Sequence, residues 1–166
     1  PIISNIKKQI SNKKIGKINY ALTISRDYPY PTEQFLSISG GIFHDCATHD
    51  IDYLNWILDE RPNKVYASIG NNEPRLDHNY QYVLINLYYP SGTQACLNLS
   101  RISDSYDQRC EFYGQNGEII NNNYQNETKI SFPESYKQAY INELEEFYQS
   151  IVKNKSSIVT KEDCQA

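Results

Sequence analysis

The spacing of apolar and polar positions changes period several times along the chain, and each change predicts an element. Ile3, Ile6 and Ile10 recur at helical spacing ahead of Gly16, which predicts a short helix over residues 2–12 ending in a polar turn. Residues 17–26 then alternate. Ile18, Tyr20, Leu22 and Ile24 fall on one side and Asn19, Ala21, Thr23 and Ser25 on the other, the period of a half-buried strand. Pro29 and Pro31 end that strand and open a loop to Ser39. A helix is expected over 42–58, a β-rich strand over 64–70 and a polar loop over 71–79. Strands at 80–89 and 93–101 are joined by Pro90-Ser91-Gly92, and strands at 108–113 and 118–122 by a turn across Gln115-Asn116-Gly117. Ser131-Phe132-Pro133-Glu134 has the form of a capped helix start with Pro in the first turn. The helix that follows, to about residue 153, carries Tyr136, Tyr140, Leu144, Phe147, Tyr148 and Ile151 along one side.

Hairpins dominate this order, so the predicted class is α+β: one open, mainly antiparallel sheet with helices packed on one face. The other face needs a cover, and its Tyr-rich strands predict a homo-oligomer formed through it. At 166 residues, the chain reads as a single domain, 1–166, long enough to bury a core. The apolar share of 39% is low, but 15 Tyr and 5 Phe supply bulk.

Charge and cysteine usage narrow the function classes. A net charge of -4 with no basic stripe argues against nucleic acid as a partner. No apolar run approaches the roughly 18 residues of a membrane span, and no signal peptide opens the chain. Cys46, Cys96, Cys110 and Cys164 lie far apart without a CxxC pair, which reads as free thiols in a reducing, cytoplasmic setting rather than a zinc ribbon. The lack of Met, the start at Pro1 and the end at Glu162-Asp163-Cys164-Gln165-Ala166 suggest a fragment of a longer protein.

Candidate chemistry concentrates in the helix that follows Gly40-Gly41. Residues four apart share a helix face, so Asp45, His49, Asp52 and Trp56 line one side, while Phe43, Cys46, Ala47, Leu54, Ile57 and Leu58 line another. A carboxylate one turn from an imidazole can hydrogen-bond it or share its substrate, and such a partner suits a general base for alcohol oxidation. The same spacing also fits a solvated Asp–His pair on a surface helix. The two glycines allow a ligand or another backbone close to the helix start. No metal site is expected, because residues 44 and 46 point away from 45 and 49 on a regular helix.

These residues make up a familiar pattern. The strand ending in Ser25-Arg26-Asp27, followed by Gly40-Gly41, Asp45, His49, Asp50 and Asp52, resembles the opening of the C-terminal α/β domain of Gfo/Idh/MocA oxidoreductases. Tyr106-Asp107-Gln108-Arg109-Cys110-Glu111 with Gly114 and Gly117 is similar to the hairpin of the family's inositol dehydrogenase branch. The helix over Tyr136, Ala139, Tyr140, Glu143 and Phe147 resembles a third family segment.

The resemblance implies a sugar or polyol dehydrogenase using NAD or NADP. It implies Asp45 and His49 as the catalytic pair, with His49 the base on the reacting hydroxyl. It implies Asp27 and Tyr106 as substrate contacts and Tyr140 as a residue near the cofactor. Phe132 stands where related enzymes can carry Trp. Arg109 and Glu111, two apart on one strand face, also read as a simple surface pair. The family's Rossmann domain, with its Gly-rich turn and catalytic lysine, has no counterpart in these residues: there is no GxGxxG. The chain alone is therefore not expected to be active. The competing expectation is a non-catalytic oligomerisation or carbohydrate-binding module of the same descent.

Overall fold

The computed structural model describes residues 2–70, 80–122 and 131–156. The predicted loop 71–79 and Cys164 lie outside the described residues. The elements are α1 (Ile2–Ser11), β1 (Ile18–Arg26), α2 (Glu33–Ile38), a π-helical turn (Phe43–Ala47), α3 (Thr48–Leu58), β2 (Lys64–Gly70), β3 (Tyr82–Tyr88), β4 (Gln94–Ser100), β5 (Asp107–Gly114), β6 (Gly117–Asn121) and α4 (Phe132–Val152). Helix α2 falls inside the stretch expected to be loop. It is too short for its apolar period to register, and Thr32 caps it by accepting the Phe35 N–H at 3.3 Å.

The strands form one six-stranded sheet in the order β2-β3-β4-β1-β5-β6. Every neighbouring pair is antiparallel except β1 and β4, which run parallel with Arg26 opposite Ser100. A parallel pair needs a long crossover. Here the crossover contains α2, the π turn, α3, β2 and β3. Its consequence is functional: Asp27 and Arg101 leave the sheet side by side at the same edge, with the Asp27 N–H donating to Ser100 O at 3.0 Å.

The core lies between one sheet face and the helices. Ala21, Val83, Ile85, Leu87, Ala95, Leu97, Leu99, Cys110 and Phe112 are buried together with Ile6 of α1, Ala47 of the π turn, and Leu54 and Ile57 of α3. Strand β1 turns its smaller residues inward. Ala21 and Thr23 are fully buried, whereas Tyr20, Leu22 and Ile24 face the uncovered side beside Cys96 and Asn98 of β4. Leu84 and Tyr66 extend that uncovered surface across β3 and β2. The register shift between Ile18 and Tyr20 is what allows Ile18 to be buried as well.

Helix α4 starts with the expected capping box, in which Glu134 Oε2 accepts from the Ser131 N–H at 2.9 Å. Its apolar stripe is not covered: Tyr140, Leu144, Phe147, Tyr148 and Ile151 are all exposed. Among the described residues, no helix is long and apolar enough to cross a membrane.

Candidate active site

Three chain segments meet where β1 and β4 end. Asp27 follows β1, Arg101 follows β4, and the π turn carries Asp45 and Cys46 up to them. Gly40 and Gly41 start the turn with φ of +75° and +83°, a left-handed backbone that other residues resist. A Cβ on Gly40 would come within 3.0 Å of the His44 Cβ, so the group that approaches this glycine is the chain's own His44.

The π winding changes which side chains are neighbours. Regular α-helical spacing separates Asp45 from Cys46, but the wider turn sets them together: Cys46 Sγ lies 3.8 Å from Asp45 Oδ2 and donates to Asp27 Oδ2 at 3.2 Å. The expectation that residue 46 points away from residue 45 is corrected on this point. The ligand atoms of Asp27, Asp45 and Cys46 lie within 4.8 Å of one another, a spacing that can hold a cation. One feature opposes a cation there: Asp45 already receives the Arg101 guanidinium. Burial, followed by the nearby Asp27 charge, pushes the Cys46 thiol well up, so it keeps its proton.

Arg101 is the residue that sequence reasoning missed. It is 1% exposed, and its Nη2 lies 2.8 Å from Asp45 Oδ2 and 3.4 Å from Ser39 Oγ. Its position had a signal: it falls in phase with Ala95, Leu97 and Leu99 on the buried face of β4, where a charge stands out. Asp45 therefore pairs with Arg101, and of the two arrangements the spacing allows, a hydrogen bond to His49 or a shared substrate, the first is not formed. His49 is exposed and makes no hydrogen bond among the described residues. Its charge still acts on Asp27 and on buried Asp50. Burial raises the Asp27 carboxyl, with the Asp45 charge adding to this; the Cys46 hydrogen bond, Arg101 and His49 oppose it.

An aromatic wall stands beside this polar cluster. The Tyr106 ring packs edge-on against Phe132 at 5.4 Å and Tyr136 at 5.8 Å between centroids, and its hydroxyl lies 3.3 Å from that of Tyr136. Burial raises the Tyr106 hydroxyl far above its usual range, and the nearby Tyr136, Asp27 and Asp50 add to this, so it remains a neutral phenol. Tyr136 donates to Gln108 Oε1. Tyr140 continues the row at 6.4 Å from Phe132 and is 45% exposed. Arg109 pairs with Asp107 at 2.9 Å, and Glu111 accepts from Tyr113, so the surface pair expected between Arg109 and Glu111 is replaced by two others.

The structure thus joins Asp27 and Asp45 through Cys46, and the Asp27 carboxyl lies within electrostatic reach of both Tyr106 and exposed His49. A family description, the GFO/IDH/MocA C-terminal domain, matches residues 3–120. The chain is 30% identical to the inositol 2-dehydrogenase of Rhizobium meliloti over 92% of its own length and 52% of that protein. Its fold superposes with a TM-score of 0.84 on a myo-inositol dehydrogenase from Corynebacterium glutamicum, at 27% identity, covering 98% of this chain and 54% of that one. It superposes with a TM-score of 0.82 on the scyllo-inositol dehydrogenase from Lactobacillus casei with bound NAD(H) and scyllo-inositol, at 26% identity, covering 97% and 54%. The chain spans about half the length of the curated relatives it matches.

Proposed function

Because this chain belongs to the GFO/IDH/MocA family, matching its C-terminal domain, we propose that it is the substrate-binding half of an NAD-dependent dehydrogenase that oxidises a secondary hydroxyl of an inositol-like polyol or sugar. The observation that carries this reading is the meeting of Asp27 and Asp45, from two distant segments, at Cys46, with the Tyr106–Phe132–Tyr136 aromatic cluster as its support. Vicinal hydroxyls are met well by such a set. Carboxylate oxygens accept their O–H groups, and an aromatic wall covers the ring's C–H face.

Among the described residues, no glycine-rich turn opens a helix in the way a dinucleotide's phosphates require. The glycines at positive φ other than Gly40 and Gly41 (Gly16, Gly92 and Gly117 among the described residues) lie in turns near α1 and at hairpin ends. Bound elsewhere in the protein, NAD would accept the hydride. What falls to this chain is orientation and the proton: Asp27 and Asp45 hold neighbouring hydroxyls, and His49 takes the proton of the one being oxidised. Tyr140, exposed at the end of the aromatic row, is the residue we assign to the cofactor side. The three described cysteines are free thiols, which suits a reducing cytoplasm.

The test is NADH formation by the natural protein that carries this domain, with myo-inositol, scyllo-inositol and glucose offered in turn. Polyol-dependent reduction of NAD supports the reading; none with any of them, in a folded protein that binds NAD, removes it.

A second reading, an assembly module without chemistry, draws on the uncovered sheet face with Tyr20, Leu22, Ile24, Leu84 and Tyr66. We propose that this face joins copies of the chain, in either reading. Leu84→Asp combined with Ile24→Asp is expected to lower the molar mass in sedimentation equilibrium to that of a single chain, since each places a charge where apolar cover is required. An unchanged mass would rule out this face as the interface.

A further inference from the structure

Arg101 has a burial that stability alone does not explain. Its position follows Ala95, Leu97 and Leu99 in phase on the inner face of β4, and its side chain is 1% exposed. An apolar residue there would extend the core, whereas a buried guanidinium is expensive unless fully paired. Among the described residues this one is not fully paired: Nε and Nη1 are buried with no hydrogen-bond partner. Its side-chain polar contacts with the described residues run through Nη2, to Asp45 Oδ2 at 2.8 Å and Ser39 Oγ at 3.4 Å. The ion pair is end-on, not bidentate, so it fixes one carboxylate oxygen and leaves the other. The carboxylate it holds sits in a π turn, a winding that occurs mostly as a local departure at functional sites. The same positive charge also acts on Asp27, which lies beside Asp45 across Cys46.

Resting on the dehydrogenase reading above, we propose that Arg101 is the positioning residue of this site: it anchors Asp45 at Oδ2 so that Oδ1 is presented to a polyol hydroxyl. Arg101 itself does not touch the substrate. It acts through Asp45, and its charge allows two half-buried carboxylates to stand side by side. A misplaced carboxylate loses the oriented hydroxyl, and errors of about 1 Å in such sites lower rates about 100-fold.

A double-mutant cycle distinguishes this from a purely structural role. In the natural protein carrying this domain, with NAD and myo-inositol, kcat and KM are measured for Arg101→Met, Asp45→Asn and the double variant. Arg101→Met is expected to lower kcat/KM about 100-fold. In the Asp45→Asn background the same change is expected to lower it no more than about threefold further, because the residue it acts through is already disabled. Arg101→Lys, which keeps the charge, is expected to recover part of the loss. If Arg101→Met does not fold, the cycle is run with Arg101→Lys and read by the same rule. Additive losses, with Arg101 substitutions costing as much without the Asp45 carboxylate as with it, overturn the proposal. A wild-type protein that reduces no NAD with any polyol overturns the parent reading instead, so the two failures are separable.

Discussion

Replacing His49 with Ala is expected to lower kcat for polyol oxidation by about two to four orders of magnitude, the usual contribution of a positioned general base. Stability is expected to stay within about 0.5 kcal/mol of wild type, the range of surface substitutions. The second half follows from the structure: the imidazole is exposed and makes no hydrogen bond among the described residues, so its removal opens no cavity and orphans no partner. The first half follows from the role proposed for it. His49 is the base that the family resemblance implies and that we propose here, and Asp45, tied to Arg101, and Tyr106, a neutral phenol, are poor substitutes for it. Initial rates of NADH formation and a thermal melt, run on the same preparation, check both halves. Wild-type turnover in the variant would remove His49 from the mechanism while leaving the Asp27–Asp45 pairing intact.

How much of this was legible in the sequence depends on whether the signal was local. Pro90-Ser91-Gly92 and Ser131-Phe132-Pro133-Glu134 act through their own backbone preferences, so the hairpin of β3 and β4 and the start of α4 stand where the chain predicts them. The alternation in β1 shows two faces but not which one is covered. Tyr20, Leu22 and Ile24 are the larger apolar set, yet the helices pack on the side of Ala21, Thr23 and Ser25. Small residues there let α3 approach closely enough for Asp50 to reach Ser25 at 2.8 Å.

The site had a similar division. Asp45 and His49 were found by assuming regular helical spacing, and Asp27 and Tyr106 by resemblance alone. The π turn leaves no mark in composition, so the contact between Asp45 and Cys46 was hidden. The parallel pairing of β1 with β4 is set by tertiary packing over a long crossover, and it is this pairing that delivers Arg101 to Asp45. A charged residue in phase with a buried strand face was the one available hint.

Asp50 is expected to govern stability rather than turnover, and in a pH-dependent way. It is 1% exposed and accepts from Ser25 Oγ at 2.8 Å and Tyr53 Oη at 3.0 Å, which ties α3 to β1 and fixes the height of the turn that carries His49. Asp50→Ala leaves the buried Tyr53 hydroxyl and the half-buried Ser25 hydroxyl without their acceptor, a loss of about 1–3 kcal/mol. Asp50→Asn is expected to be far milder. Its carbonyl oxygen can keep both hydroxyls, and Thr23 Oγ1, buried beside Asp50 and Tyr53 without a hydrogen bond of ordinary geometry, can accept from the new amide.

The pH dependence has a definite sign. Burial raises the Asp50 carboxyl despite the opposing hydrogen bonds, so the folded chain holds this proton more tightly than the unfolded one. Its contribution is then greatest below the unfolded value of about 4 and is lost as pH climbs to the raised folded value. Asp27 is raised in the same direction and adds its own slope, so the quantity to measure is the difference between wild type and Asp50→Asn in urea denaturation at a series of pH values. The variant should gain on wild type as pH rises through that window. A difference that stays constant across it would mean that the unfolded chain and the native pocket bind the Asp50 proton equally well, and burial would then not be what sets this carboxyl.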